Sequence, residues 1–195
     1  MKWFIASLVV LLVVWRLILS PYSIPAGSMK PTLVVGDVIN VVPVREEISR
    51  GDVLVFSHPV NGQLWVKRLI GEPGDRIQMI DGVLHINDEA VGLEDGGIFT
   101  EIMEPQGPMG GRPMCANDPV GMGAECLKPR QTETLPNGTS HAILNIGTRA
   151  TDNTGVFTVP AGHFFFMGDN RDNSIDSRVP QTLGGVGYVP RKDIV

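Results

Sequence analysis

The sequence predicts a mostly β protein behind a single N-terminal transmembrane helix. Residues 3–19 are apolar apart from Ser7 and Arg16, a pattern typical of a membrane span. After residue 20 the apolar runs are short and rich in β-branched side chains, which is typical of strands. The chain of 195 residues also carries 23 glycines and 15 prolines, and these residues predict frequent turns between short strands.

The apolar N-terminal segment has the length of a short spanning helix, since such helices need about 17–25 apolar residues. Lys2 is predicted to mark its cytoplasmic end, and Trp3 and Trp15 suit the two membrane interfaces. A cleavable signal peptide would need paired small residues at its cleavage site, and the sequence near residue 20 does not offer them. We therefore predict that residues 1–20 are an uncleaved anchor; the alternative is a buried core helix.

Strand patterns continue through most of the remaining sequence. Asn61-Gly62 and Asp81-Gly82 lie between apolar runs and predict hairpin turns. Glycine and proline are scattered from about residue 87 to residue 130, where we expect irregular structure. The predicted strands are residues 34–42, 52–56, 64–70, 76–80, 83–86, 142–146, 156–159 and the apolar run 164–167.

Composition and charge limit the classes of function. The net charge is −5 and no block of basic residues occurs, so we expect no nucleic-acid partner. A hydrophobic content of 43% is enough to fill a packed core. The length fits one domain, or one core with a small satellite.

Residues 168–178 form the most polar segment of the chain. These eleven residues contain three aspartates, two asparagines, two arginines and two serines, and they directly follow the apolar run 164–167. A polar loop that is held by a rigid, buried strand is typical of a functional site. The alternative is a solvated turn whose Asp and Asn side chains bond to the backbone.

Ser28 and Lys67 are the candidate reactive groups. Gly27 allows a substrate to approach Ser28 closely, but a hydroxyl needs a base to become a good nucleophile. None of the four histidines lies in a motif that predicts a Ser-His-Asp arrangement. Lys67 lies within an apolar strand, where burial would lower its pKa and leave a neutral amine to accept the Ser28 proton. The alternative is an exposed strand lysine and an unrelated turn serine.

Three segments, residues 24–33, 66–75 and 168–178, resemble in sequence and order the signature boxes of type I signal peptidases. These enzymes are membrane-bound serine proteases that remove secretory signal peptides. The resemblance implies a β-sheet, β-barrel-like catalytic domain with a smaller β-rich satellite insertion. The implied domains are an anchor at 1–20, a catalytic domain at 21–91 and 148–195, and a satellite with a cysteine loop at 92–147.

The resemblance also implies a role for each matching residue. Ser28 is identified as the nucleophile and Lys67 as the general base of a Ser-Lys pair. The supporting residues that it implies are Ser174, which hydrogen-bonds and orients Lys67, and a charged brace of Asp176 and Arg178 with Arg68 nearby.

Ala26 departs from the pattern of many family members, which carry a serine two residues before the nucleophile. The hydroxyl of that serine helps to bind the oxyanion, and alanine has no such donor. We expect the oxyanion region to consist of Ala26, Gly27 and Ser28, with the Ser28 backbone N–H as one donor. The second donor is left open.

Cys115 and Cys126 are the only two cysteines. In the oxidising compartment implied by the resemblance, we expect them to form a disulfide that closes the loop between them. No histidine flanks either cysteine at ligand spacing, which argues against a metal site. Their separation argues against a redox-active pair, and the resemblance implies no metal and no organic cofactor.

The resemblance implies a single-pass protease of the bacterial inner membrane, with its catalytic domain on the periplasmic side. Its expected partners are the signal peptides of exported preproteins, which it would cut after Ala-X-Ala, and the lipid bilayer. Two alternatives stay open: a Ser-Lys maturation peptidase dedicated to one exported substrate, and a catalytically inactive, membrane-anchored binding module. The sequence does not set the oligomeric state.

Overall fold

The computed structural model describes residues 20–42 and 47–195. The predicted anchor therefore lies outside the described residues, apart from Ser20. Within the described ranges, no helix is both long enough and apolar enough to cross a membrane. These ranges fold into strands and short 3₁₀ turns, so the prediction of a mostly β chain is confirmed.

The strands are short, as expected from the spacing of glycine and proline. Most have three to five residues, and β4, β8 and β9 are longer. They are β1 (Ser20–Ser23), β2 (Val38–Val41), β3 (Val53–Ser57), β4 (Leu64–Gly71), β5 (Arg76–Ile80), β6 (Val83–Ile86), β7 (Glu89–Ala90), β8 (Gly92–Ile102), β9 (Glu125–Thr134), β10 (Ser140–Leu144), β11 (Phe157–Thr158), β12 (His163–Met167) and β13 (Tyr188–Pro190).

The described strands form four sheets in which all neighbours are antiparallel. One sheet has the order β13-β12-β4-β3, and a second has the order β11-β5-β6-β7. A third sheet has the order β10-β9-β8, and β1 pairs with β2 alone. Most strand pairs join neighbours in the sequence. The exceptions are β12 with β4 and β11 with β5, which are distant in sequence.

Strand β12 lies between two hydrophobic cores, which explains its continuous apolar sequence. Successive side chains of a strand point to opposite faces. Phe164 and Phe166 pack into one core with Phe56, whereas Phe165 and Met167 belong to the other core. Because both faces are covered, β12 delivers the polar segment that follows it to a fixed position.

Both predicted hairpin turns are confirmed. Gly62 has φ of 69°, and β3 pairs with β4 around it. Asp81 and Gly82 have φ of 49° and 78° between β5 and β6. Positive φ at both Asp81 and Gly82 gives the backbone twist that this two-residue hairpin needs, whereas the β3–β4 loop is longer and has positive φ at Gly62.

The expectation of irregular structure from about residue 87 to residue 130 was wrong at both ends of this segment and was confirmed for residues 103–124, which form turns, bends and one isolated bridge. Strands β8 and β9 occupy the two ends and pair along most of their length, with an irregular register between Asp95 and Ile98. Most side chains of β8 are exposed, so its sequence has no alternation of apolar and polar residues. Adjacent glycines at 96 and 97 and Pro129 in β9 further disguise the strands.

The predicted strand 34–42 is shorter in the structure, where only Val38–Val41 pair. A turn occupies the residues before it, since the Val34 N–H donates to the Asp37 carboxylate at 2.8 Å. Gly36 in this turn has φ of 95°, which ends the extended run. The β-branched residues of this segment therefore predicted more strand than the backbone forms.

Candidate active site

Ser28 lies in a 3₁₀ turn, Gly27–Met29, that the polar segment holds in place. The Asn170 N–H donates to the Ser28 carbonyl at 3.0 Å, and the Asn170 side chain donates to the Gly27 carbonyl at 2.9 Å. Met29 is completely buried and anchors the turn in the interior. Ser28 itself is half-buried, so its hydroxyl is fixed but accessible.

Lys67 comes from β4, in the middle of the sheet, and reaches the Ser28 hydroxyl. Its Nζ lies 2.5 Å from Ser28 Oγ, and only 4% of the residue is exposed. The sheet order places β4 between β3 and β12, so the lysine stem is fixed by strands on both sides. The structure thus joins the two residues that the sequence singled out.

Burial changes the acid–base chemistry of Lys67. Loss of hydration lowers the pKa of its ammonium to about 8, against the opposing effect of Asp176 and Asp169. The Lys67 Nζ also lies 5.4 Å from the centre of the Trp65 ring. A substantial fraction of neutral amine therefore exists near neutral pH, where it can accept a proton from a hydroxyl.

Ser174 lines the same cleft as Ser28 and Lys67, but the expected hydrogen bond from Ser174 to Lys67 does not form. The Ser174 Oγ is buried without a hydrogen-bond partner among the described residues. It faces Asp176 closely enough to contribute to the low pKa of that carboxyl. Ser174 therefore borders the reactive pair without directly orienting Lys67.

Asp176 and Arg178 form a buried ion pair in which the Arg178 Nη2 lies 2.9 Å from Asp176 Oδ2. Burial opposes ionisation of Asp176, but the charge and hydrogen bonds of Arg178 outweigh it and lower the Asp176 pKa. The same carboxylate accepts the Gly168 N–H at 3.0 Å, and Arg178 donates to the Arg171 carbonyl at 2.6 Å. The pair braces the start and the end of the polar segment.

Arg68 pairs with Asp169 rather than with the Asp176–Arg178 brace. Its Nε and Nη2 donate to the two Asp169 oxygens at 2.8 and 2.7 Å. Thr32 donates to the same carboxylate at 2.5 Å. Asp169 thus joins three segments, namely the Ser28 segment, β4 and the polar segment. The sequence analysis missed this role, although the polar composition around Asp169 was a signal for it.

Glu133, Arg171 and His141 form a second buried network that the sequence analysis also missed. Arg171 donates from both terminal nitrogens to Glu133, at 2.8 and 2.5 Å. The His141 Nε2 lies 3.3 Å from Glu133 Oε2. Burial opposes ionisation of Glu133, but Arg171 and His141 outweigh it and lower its pKa to about 2. This network connects β9 and β10 to the polar segment.

A cleft of about 540 Å³ exposes the reactive pair to solvent. Ser28, Lys67 and Ser174 all line it, and none of the four histidines does. Ala26 is exposed beside Ser28 and brings no side-chain donor. The apolar walls are Ile24, Leu64, Trp65, Val66, Met109 and Ile175. Ser28 is therefore accessible from an open cleft with a largely apolar lining.

Cys115 and Cys126 form a disulfide, with 5.1 Å between their Cα atoms. The bond lies beside Met103 and Val120 in a small apolar cluster. Within the part of the chain that the structure describes, no cluster of His, Cys, Asp and Glu has the geometry of a metal site.

Comparisons with known proteins show which proteins this chain resembles. A profile of the family described as "Signal peptidase, peptidase S26" matches residues 1–195. Signal peptidase I of Rickettsia typhi is 34% identical over 216 residues, covering 94% of this chain and 72% of that protein. Signal peptidase I of Rickettsia massiliae is 33% identical over 223 residues, covering 98% and 74% respectively. A solved signal peptidase I from Enterococcus faecalis aligns with a TM-score of 0.39 and 24% identity, covering 76% of this chain and 94% of that one.

Proposed function

Because this chain belongs to the signal peptidase family, peptidase S26, we propose that Ser28 is its nucleophile and Lys67 its general base. The chain is a serine peptidase that removes signal peptides from preproteins, as its family membership establishes. The observation that carries the residue assignment is the distance of 2.5 Å between Lys67 Nζ and Ser28 Oγ. The pair lies in an open cleft, so a substrate can reach it.

Acylation begins when Ser28 Oγ attacks the carbonyl carbon of the scissile peptide bond. The neutral Lys67 amine accepts the hydroxyl proton as the new C–O bond forms. The resulting ammonium then gives this proton to the departing amine as the C–N bond breaks. The mature protein leaves with a new N-terminus, and the signal peptide stays bound to Ser28 as an ester.

Deacylation repeats the same proton transfers with water as the nucleophile. Lys67 accepts a proton from water as the water oxygen attacks the ester carbon. The C–O bond to Ser28 then breaks, and the proton returns to Ser28 Oγ. One lysine therefore serves as base and as acid in each half of the reaction, which requires a pKa near the working pH, consistent with a Lys67 pKa of about 8.

The oxyanion is bound, in this proposal, in the region of Ala26, Gly27 and Ser28. The Ser28 N–H is a suitable first donor because it belongs to the turn that the polar segment fixes. Ala26 leaves the second donor to another group or to water.

The supporting residues act on the catalytic pair through charge and position. Asp176 and Asp169 favour the charged form of Lys67, and Arg178 disfavours it. Arg68 holds Asp169, and Ser174 closes the cleft beside Lys67. We assign all of these as positioning residues, with no transfer of protons through them.

The cleft supports a preference for Ala-X-Ala before the scissile bond. Apolar side chains, among them Ile24, Trp65 and Ile175, line the cleft together with Ser28, which suits the apolar residues before a signal peptide cleavage site. Residues 1–20 are proposed as the single-pass anchor in the bacterial inner membrane, with the catalytic domain on the periplasmic side. Only a few extended residues then separate Ser28 from the bilayer, where signal peptides present their cleavage sites.

The chain is also proposed to divide into a catalytic domain and a satellite insertion. The separate sheet of β8, β9 and β10 supports a satellite at residues 92–147, and the sheets that hold Lys67 and the polar segment support a catalytic domain at 21–91 and 148–195. The lipid bilayer is proposed as a second partner beside the signal peptide.

The test is cleavage of a peptide with one Ala-X-Ala site, in detergent, by wild type, Ser28→Ala and Lys67→Ala. We expect each substitution to lower kcat by about a thousandfold or more, because removing one member of a catalytic pair disables the whole pair. Ser49→Ala and Lys192→Met are matched controls at exposed positions and should retain wild-type activity. Activity that survives Ser28→Ala would refute the nucleophile assignment.

A further inference from the structure

Ser28 lies where two cavities meet. The larger one is the cleft that contains Lys67. The second has a volume of about 190 Å³ and shares Pro25, Ala26, Ser28, Met109 and Asn173 with the cleft. A peptide that crosses Ser28 can therefore occupy both cavities, with the scissile bond between them.

The second cavity has a strongly positive lining. Lys30, Arg112 and Lys128 line it, and no acidic residue of the described chain does so. Lys30 and Lys128 are buried, whereas Arg112 is exposed at the edge. The larger cleft differs, since the charged residues that line it, among those the structure describes, are Lys67 and Asp172.

The two buried lysines share a single carboxylate, that of Glu101. Lys30 Nζ donates to Glu101 Oε2 and, at 2.7 Å, to Gln106 Oε1. Lys128 Nζ lies 2.5 Å from Glu101 Oε1. Two ammonium groups thus face one counter-charge, and Arg112 adds a third positive charge.

The pKa shifts of Glu101 and Lys128 are consistent with an excess of positive charge in this cluster. Burial opposes ionisation of Glu101, but Lys128, Lys30 and Gln106 outweigh it and lower the Glu101 pKa. The charge of this carboxylate is thus already shared between the two lysines. Burial and the nearby Lys30 lower the pKa of the Lys128 ammonium despite Glu101. An additional carboxylate in the cavity would favour the charged form of Lys128 and bind it in return.

The direction of the substrate follows from the two linings. Residues before the cleavage site of a signal peptide are small and apolar, and they match the apolar cleft beside Lys67. The chain beyond the scissile bond then enters the positive cavity. We propose that this cavity, lined by Lys30, Lys128 and Arg112, binds an acidic side chain among the first two residues after the scissile bond. The inference rests on the proposed function and makes the three cations determinants of specificity.

The experiment uses three peptides that share an Ala-X-Ala site and differ only in the residue after it, which is Glu, Gln or Lys. Glu and Gln have the same shape, so their ratio isolates charge. For the wild type we expect kcat/KM for the Glu peptide to exceed that for the Gln peptide by roughly tenfold, in the range of a hydrogen bond to a charged group. The Lys peptide should be the poorest substrate.

Two variants test whether the preference for the Glu peptide arises from the positive cavity. Arg112→Gln changes an exposed residue, and Lys128→Met keeps an unbranched side chain of similar length but removes its charge. Both should bring the Glu-to-Gln ratio closer to one, and both should improve the relative rate for the Lys peptide. Arg191→Gln is the matched control, because Arg191 is exposed and lines neither cavity. Thermal unfolding checks the folding of Lys128→Met, and Arg112→Gln decides the question if that variant does not fold.

Equal rates for the Glu and Gln peptides in the wild type would overturn the inference. A preference that persists undiminished in the folded variants would overturn it as well, since the preference would then arise elsewhere. Failure of the wild type to cleave any of the three peptides has a different meaning. It would overturn the proposed function and this subsite together.

Discussion

Arg171 and Glu133 form a buried, bidentate ion pair, with nitrogen–oxygen distances of 2.8 and 2.5 Å. Arg171 belongs to the polar segment that holds Ser28, and Glu133 belongs to β9. The Leu144 N–H at the end of β10 donates to the Asp169 carbonyl at 2.9 Å. The sheet of β8, β9 and β10 therefore supports the polar segment from behind, and the catalytic geometry depends on it.

Glu133→Gln should destabilise the fold by about 3–5 kcal/mol, since it leaves the buried Arg171 guanidinium without a counter-charge. The free energy of unfolding from urea titration at neutral pH measures the effect. Glu94→Gln is the matched control on β8, where the side chain is exposed, and it should change stability by less than about 0.5 kcal/mol. Equal stability of the wild type and Glu133→Gln would show that the Arg171–Glu133 pair makes no net contribution to the free energy of unfolding.

The destabilisation by Glu133→Gln should also depend on pH. The folded-state pKa of Glu133 is about 2, below its ordinary value of 4.5. The contribution of its charge is therefore complete above about pH 4.5 and is lost as the pH falls toward about 2. Urea titrations at pH 7 and pH 3 should show a smaller difference between the wild type and the variant at the lower pH. A difference that grows on acidification would contradict the assigned direction of the shift.

The rate should rise with pH through the pKa of Lys67. Only the neutral amine accepts the Ser28 proton, and its fraction increases as the pH rises through about 8. We expect log kcat/KM to increase with a slope of one below this pH and to level above it. Lys67→Arg should be inactive across the range, because a guanidinium does not titrate there. A rate that falls between pH 6 and pH 8 would exclude Lys67 as the base.

Local sequence patterns predicted two residues that the structure brings into contact, and they predicted both hairpin turns. Ser28 and Lys67 were identified because the segments around them, residues 24–33 and 66–75, resemble signature boxes of type I signal peptidases. Hairpin turns were predicted because Asn-Gly and Asp-Gly favour positive φ. In each case the information lies within a few neighbouring residues.

Features that depend on distant partners could not be predicted in this way. Arg68 and Asp169 are 101 residues apart in sequence, and neither carries a local sign of the other. Glu133 and Lys128 lie on β9, which was expected to be partly irregular because glycine and proline are scattered through the sequence up to about residue 130. Their burial against the polar segment and the nucleophile turn arises only when the sheets assemble.

Gly168→Ala should disrupt the active site. A Cβ at this position would lie 2.3 Å from Ser174 Oγ and 2.6 Å from the Ser28 carbonyl oxygen. Overpacking of this kind costs about 1–3 kcal/mol, and relief of the clash would displace the turn that carries Ser28. We expect a loss of kcat of about a hundredfold or more, measured with the Ala-X-Ala peptide.

Gly155→Ala is the matched control, because its Cβ would meet no atom within 4 Å. An active Gly168→Ala variant would mean that Ser28 tolerates this displacement.

Ala26→Ser should keep or raise the activity. Ala26 is exposed and lines the cleft two residues before Ser28, so a serine fits there without disturbing the core. Its hydroxyl would add a donor to the oxyanion region, where one donor is worth about 10²–10³ in kcat at most. Steady-state kcat and KM with the Ala-X-Ala peptide measure the change, and the effect should appear in kcat because the oxyanion exists only along the reaction path.

Ala161→Ser, at an exposed position away from the cleft, should leave both constants unchanged. A large fall in the kcat of Ala26→Ser would place the oxyanion site elsewhere in the cleft.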